Sequence, residues 1–228
     1  MTSKCRRSHL LLASFFFCWV NLATAQSADN LLPKYGLLPE TDGQKAADKA
    51  FISGMDHDYH GDLKKAANDM ALRGWQYLKQ GDPDDAMRRF NQAWLLDKTN
   101  GTALWGMAAI EADKEKYDDS LKLFAEAEKS AGGEINFTVD YARTVGAAAI
   151  ARNDDALLKD ALDRFQHIYE KAPQNVRNLQ NWATILYQKD RYSEAWSKVK
   201  LAEATPNKNQ LNPRFLAELE AHMPRPRD

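Results

Sequence analysis

Few residues in this sequence could do chemistry, and only one group of them is clustered. Asp56-His57-Asp58-Tyr59-His60 places two imidazoles three residues apart among carboxylates. On one helix face, His57 and His60 could bind a transition metal. The same composition is explained by a polar helix end before Gly61, with Asp62 opening the next helix. That second explanation is adopted, and no metal site is assigned. His167 and His222 stand alone and read as surface or edge residues. The acidic pairs Asp84-Asp85 and Asp118-Asp119 could divide acid and base roles. They recur at helix starts, however, where the helix dipole and solubility account for them. No G-x-S-x-G, phosphate-binding loop, H-E-x-x-H or C-x-x-C-H motif is present. The expectation is a protein with no catalytic residues and no cofactor.

The first residues are unlike the rest. Lys4, Arg6 and Arg7 precede an unbroken apolar or small run from Leu10 to Val20, and Ala23-Thr24-Ala25 follows. A basic start, a short apolar stretch and small residues two apart make a secretory signal cleaved before Gln26. The run is about half of the ~20 residues that a membrane-spanning helix needs. Cys18 follows Phe15-Phe16-Phe17, where lipid attachment requires a small residue. The chain is therefore expected to be exported, most simply to a bacterial periplasm, with no transmembrane span after cleavage. Its only cysteines, Cys5 and Cys18, would leave with the signal, so the mature chain has no disulfide. Of 31 basic and 32 acidic residues, the signal removes three basic ones. The remainder is mildly acidic, without the basic patch that nucleic acid binding demands.

The elements that would position any site repeat along the chain. Ala86 and Ser120, Phe90 and Phe124, Ala93 and Ala127, and Asp85 and Asp119 are each 34 residues apart. Ala161 and Ala195, and Phe165 and Val199, repeat the same step. From Ser120 to Ala161 the step is 41, so one or two helical turns have been inserted, with the region of Gly132-Gly133 to Asp140 as the expected place. Apolar spacings of three and four run throughout, which argues for helices and against strands. Turn signals fall at Gly81-Asp82-Pro83, Asn153-Asp154-Asp155 and Lys189-Asp190.

Aligned from Ala67, Gly101, Ala142 and Val176, the chain resembles the tetratricopeptide repeat (TPR) family. The eighth position of each repeat is small (Gly74, Ala108, Ala149, Ala183), as is the twentieth (Ala86, Ser120, Ala161, Ala195). The twenty-fourth is bulky (Phe90, Phe124, Phe165, Val199), and the twenty-seventh is Ala93, Ala127 and Ala202, but Ile168 in repeat three. Small residues let the two helices of a repeat approach, and the bulky one fills the gap to the next repeat. The resemblance implies an all-α, right-handed superhelical solenoid of about four helix-turn-helix units with a C-terminal capping helix. Its packing residues would be Gly74, Ala86, Phe90, Ala93, Ala108, Phe124, Ala127, Ala161, Phe165, Ala183 and Ala195. The organisation read from the chain is a signal at 1–25, an extended or disordered stretch at 26–40, a helical segment at 41–66, repeats at 67–209, and a cap and tail at 210–228.

The resemblance also places Trp75, Leu78, Trp105, Ala109 and Tyr187 on the concave groove, with Ala112, Ile150 and Thr184 at matching positions. Groove tryptophans suit a protein or peptide partner. The competing expectation is that the helix at Thr41 to His57 lies in the groove and covers them. Ala71, Trp75 and Gly106 stand where carboxylate-clamping members of the family carry Lys and Asn, so a clamp of that kind is not expected. Three functions follow: a scaffold that docks a partner segment, a metal-carrying or enzymatic accessory protein using His57 and His60, and a subunit that forms a homo-oligomer through its end repeats.

Overall fold

The computed structural model describes residues 29–226. Ten α-helices and no strand occur among them. The helices are α1 (Asp42–Asp58), α2 (Leu63–Lys79), α3 (Pro83–Leu96), α4 (Gly101–Asp113), α5 (Tyr117–Ala131), α6 (Ile135–Arg152), α7 (Asp155–Lys171), α8 (Val176–Gln188), α9 (Tyr192–Glu203) and α10 (Pro213–His222). Helices α2 to α9 pair as four hairpins: α2/α3, α4/α5, α6/α7 and α8/α9. The even-numbered first helices, A, pack in a row, and so do parts of the B helices against the next A helix.

Local sequence sets the helix boundaries. Asp62, Asp82, Asn100, Asp154 and Asn175 each accept the backbone N–H three residues on, supplying an orphan donor with an acceptor. Within every hairpin the A helix stops at a left-handed residue: Gly81 (φ 81°), Glu115 (φ 59°), Asn153 (φ 49°) and Asp190 (φ 57°). The next N–H reaches back five residues, as from Asp82 to Tyr77 and from Arg191 to Leu186. This closing pattern satisfies carbonyls left open at the helix end. Only Gly81 adopts it without the steric penalty that a side chain brings.

Phenylalanines join the repeats. Phe90 of α3 lies between Gly74 of α2 and Gly106 of α4, and a Cβ on Gly74 would stand 2.5 Å from the ring. Phe124 stacks on Tyr141 of α6 with centroids 5.0 Å apart, and Phe165 on Trp182 of α8 at 6.2 Å. Ser120 fits the small-residue position because its hydroxyl donates to the Ala108 carbonyl at 2.7 Å. All eleven packing residues named from the sequence are buried.

The seven surplus residues are helical: α6 begins at Ile135, seven residues before the aligned start of repeat three at Ala142. They lengthen the third hairpin, in which α6 has 18 residues against 13 in α4, and α7 has 17 against 15 in α5. Residues 29–38, read as extended or disordered, form two 3₁₀ turns (Asp29–Leu31 and Pro33–Leu37) on the outer, B-helix side. The buried Asn91 amide of α3 donates to the carbonyls of Asn30 and Leu32, both at 2.9 Å. Lys34 pairs with Glu126 of α5. These anchors hold Lys34 to Leu37 in left-handed backbone that three non-glycine residues would otherwise avoid. The expected signal at 1–25 lies outside the described residues.

Candidate functional site

The A helices α2, α4, α6 and α8 pack in a row, on the face where the resemblance sets the groove, and one line of contacts crosses all four. The Trp75 indole N–H donates to the Thr102 carbonyl at 3.2 Å. Trp75 and Trp105 pack with centroids 4.6 Å apart. Trp105 meets Phe137 edge-on at 5.9 Å and donates its indole N–H to Asp140 Oδ2 at 3.1 Å. Arg177 of α8 pairs with the other oxygen of the same carboxylate. Each repeat thus reaches its neighbour through a groove side chain.

Asp140 is buried within this line, its side chain 6 % exposed against 49 % for Arg177. Burial pushes its carboxyl above the ordinary value, while Arg177, Arg143 and the Trp105 N–H pull the other way. Arg143 also faces Asp113 at 3.6 Å, so the floor beyond the tryptophans is polar and charged. A partner lying here would meet two indoles at one end and guanidinium groups at the other.

Among the residues expected to bind a partner, Trp75, Leu78 and Trp105 are half-buried along the first two A helices. Trp75 and Trp105 are also packing residues, because each bridges two repeats. Ala109 is 7 % exposed, and its methyl group presents almost no surface. Tyr187 does not face open groove. The capping helix α10 lies on it, with Phe215 and His222 edge-on to its ring at 5.9 and 5.3 Å. A terminal A helix lacks a following repeat, so the cap must cover its last aromatic. Ala112, Ile150 and Thr184 are half-buried.

The N-terminal helix packs on α2 and α3, and its neighbouring 3₁₀ turns on α3. The cleft of roughly 440 Å³ beneath it is lined by Tyr35, Asp48, Trp94 and Lys98, which puts this segment on the outer side rather than over Trp75 and Trp105. His57 and His60 do not share a helix face: α1 ends at Asp58, and His60 is left-handed at φ 53°. Both are exposed, and no group of three metal-ligating side chains occurs among the described residues. Asp84-Asp85 and Asp118-Asp119 lie in the first turns of α3 and α5. Asp118 and Asp119 face Arg152 and Lys122.

Asp140, Arg177 and Asn91 were not singled out from the sequence. The available signal was a single acid in the stretch Phe137 to Val145, and two amides, Asn91 and Gln92, between Phe90 and Ala93.

A solved structure of similar shape supports this architecture. TTC0263, a thermophilic TPR protein from Thermus thermophilus, superposes with a TM-score of 0.60 at 16 % identity, over 70 % of this chain and 84 % of that one. The fold is TPR-like. MamA (TM-score 0.49, 16 % identity, 75 % and 98 % covered) and YrrB, a TPR protein with an unusual peptide-binding site (0.47, 14 %, 72 % and 93 %), are more distant in shape. No protein-family model and no curated protein matches the sequence. No helix among the described residues is long and apolar enough to cross a membrane.

Proposed function

We propose that this chain is an exported, non-catalytic scaffold of the bacterial envelope that binds a segment of a partner protein in the groove of its TPR-like array. The observation that supports the reading is the Trp75–Trp105 pair, in contact at 4.6 Å on the groove floor and only half-buried. Half-buried tryptophans backed by packed neighbours form rigid anchors, with little side-chain entropy left to lose on binding. Asn30 and Leu32, which precede the helix that could have covered the groove, accept from Asn91 on the B helix α3, and that helix packs on α2 and α3. Binding would centre on Trp75, Leu78 and Trp105, with Arg143 and Arg177 meeting acceptors further along. Export rests on the basic start, the apolar run and Ala23-Thr24-Ala25.

The test is crosslinked recovery from native envelopes with wild-type bait and with Leu78→Asp. Leu78 carries none of the indole hydrogen bonds, and the change puts a charge one turn from Trp75; the helical signal of the variant shows whether the array stays folded. Loss of a specific partner, with unchanged helicity, supports the reading. Recovery of the same partners by both baits removes the groove from consideration.

A further inference from the structure

We propose that the open edge of the first repeat contains an oxyanion-binding site built by Arg73 and Arg89, whose ligand is a carboxylate or phosphate group. Ten arginines lie in residues 29–226, and eight of them have a carboxylate within ion-pair distance. The two that do not, Arg73 and Arg89, line one pocket of roughly 340 Å³ together with Gln76, Tyr77 and Gln80. No acid lines that pocket.

The geometry leaves the donors free. Arg73 makes no hydrogen bond or ion pair among the described residues. The acid one turn before it, Asp69, accepts instead from the Tyr59 hydroxyl at 3.0 Å. Arg89 gives one nitrogen to Gln92 Oε1 at 2.8 Å and lies 5.8 Å from the centre of the Tyr77 ring, which limits its rotamers. Two guanidinium groups in one small pocket repel each other. A bound oxyanion removes that repulsion and receives planar, paired N–H donors, while Gln76 and Gln80 add neutral ones.

The position explains why the pocket is open. Leu72 lies 34 residues before Gly106, and Gly106 is covered by Phe90 of the preceding repeat. No repeat precedes the first, and α1, which packs on α2 and α3, leaves Leu72 56 % exposed with Arg73 and Gln76 beside it facing solvent. The site belongs to this edge and is independent of the groove reading.

The experiment follows the Arg Nε–Hε resonances of the full mature chain as inorganic phosphate is added at constant ionic strength. A second arm adds the peptide acetyl-Leu-Glu-Glu-amide, with acetyl-Leu-Gln-Gln-amide as its neutral control. Saturable shifts confined to Arg73 and Arg89, weakened about tenfold in Arg73→Gln, are expected, since each charge-assisted contact is worth roughly that factor. Arg73 holds no contact that folding needs, and the helical signal of the variant checks this. Saturation by phosphate alone, or by the acidic peptide as well, supports the site and identifies its source as a free anion or a protein carboxylate. Shifts that do not saturate, that spread over the paired arginines, or that persist unchanged in Arg73→Gln overturn it.

Discussion

Trp105 and Asp140 are joined across consecutive repeats by an indole N–H that donates to a buried carboxylate at 3.1 Å. Arg177, from the repeat after, completes the triad. Helices α4, α6 and α8 are therefore tied through one acid.

That acid should make stability depend on pH in a definite direction. Burial raises Asp140 above its ordinary value of 3.8. Between 3.8 and the raised native value, the folded state holds more protons than the unfolded chain, so stability falls as pH rises through that window and then levels off. Wild type should therefore lose stability relative to Asp140→Asn as pH rises from acid towards neutral. Denaturant melts of both proteins across that range check it. Parallel profiles would show that Asp140 does not titrate as described.

Gly106→Ala should destabilise the array by about 1–3 kcal/mol, because its new methyl group would overlap the Phe90 ring. Phe90→Ala alone should cost about 3–5 kcal/mol by leaving a cavity. In the double variant the methyl group enters that cavity, so the two costs should sum to clearly more than the observed loss. Additive losses in urea melts would mean that Gly106 and Phe90 are not in contact.

Asn91→Leu should release residues 29–38 from α3, because two backbone carbonyls lose their donors. A cost of about 1–3 kcal/mol is expected for removing this buried amide. Limited proteolysis should then cut within Lys34 to Leu38 in the variant before it does so in wild type. Equal cleavage rates would show that Asn91 does not anchor the segment.

The exported protein should begin at Gln26, which intact mass or N-terminal sequencing reads directly. A mature mass that retains Cys18 would contradict both the cleavage site and the export expectation.

The repeat skeleton was legible because its physics is local and periodic. Phe90 needs a small residue at Gly74, and the 34-residue step repeats that pair as Phe124 and Ala108 in the sequence alone. The surplus was legible as a 41-residue step, but its division between α6 and α7 was not, because that depends on where the hairpin turns at Asn153. The groove was legible only in part. Trp75 and Trp105 announce themselves by size, whereas the role of Asp140 depends on Arg177, 37 residues away, and no local pattern links them. The contact of α10 with Tyr187 was not legible, because the position of a capping helix over the last repeat is a tertiary fact. The docking of residues 29–38 on α3 is tertiary too, since it depends on one amide 59 and 61 residues away.

The groove account is tested most directly by photo-crosslinking in native envelopes, with a light-activated residue placed either at Leu78 in the groove or at Ala125, exposed on the B helix α5. The account predicts that one specific partner protein attaches at position 78, that position 125 captures none of it, and that Trp105→Phe weakens the capture at 78 while the array stays folded. Equal capture at both positions, or capture at 125 alone, would contradict the claim that this protein works through its groove.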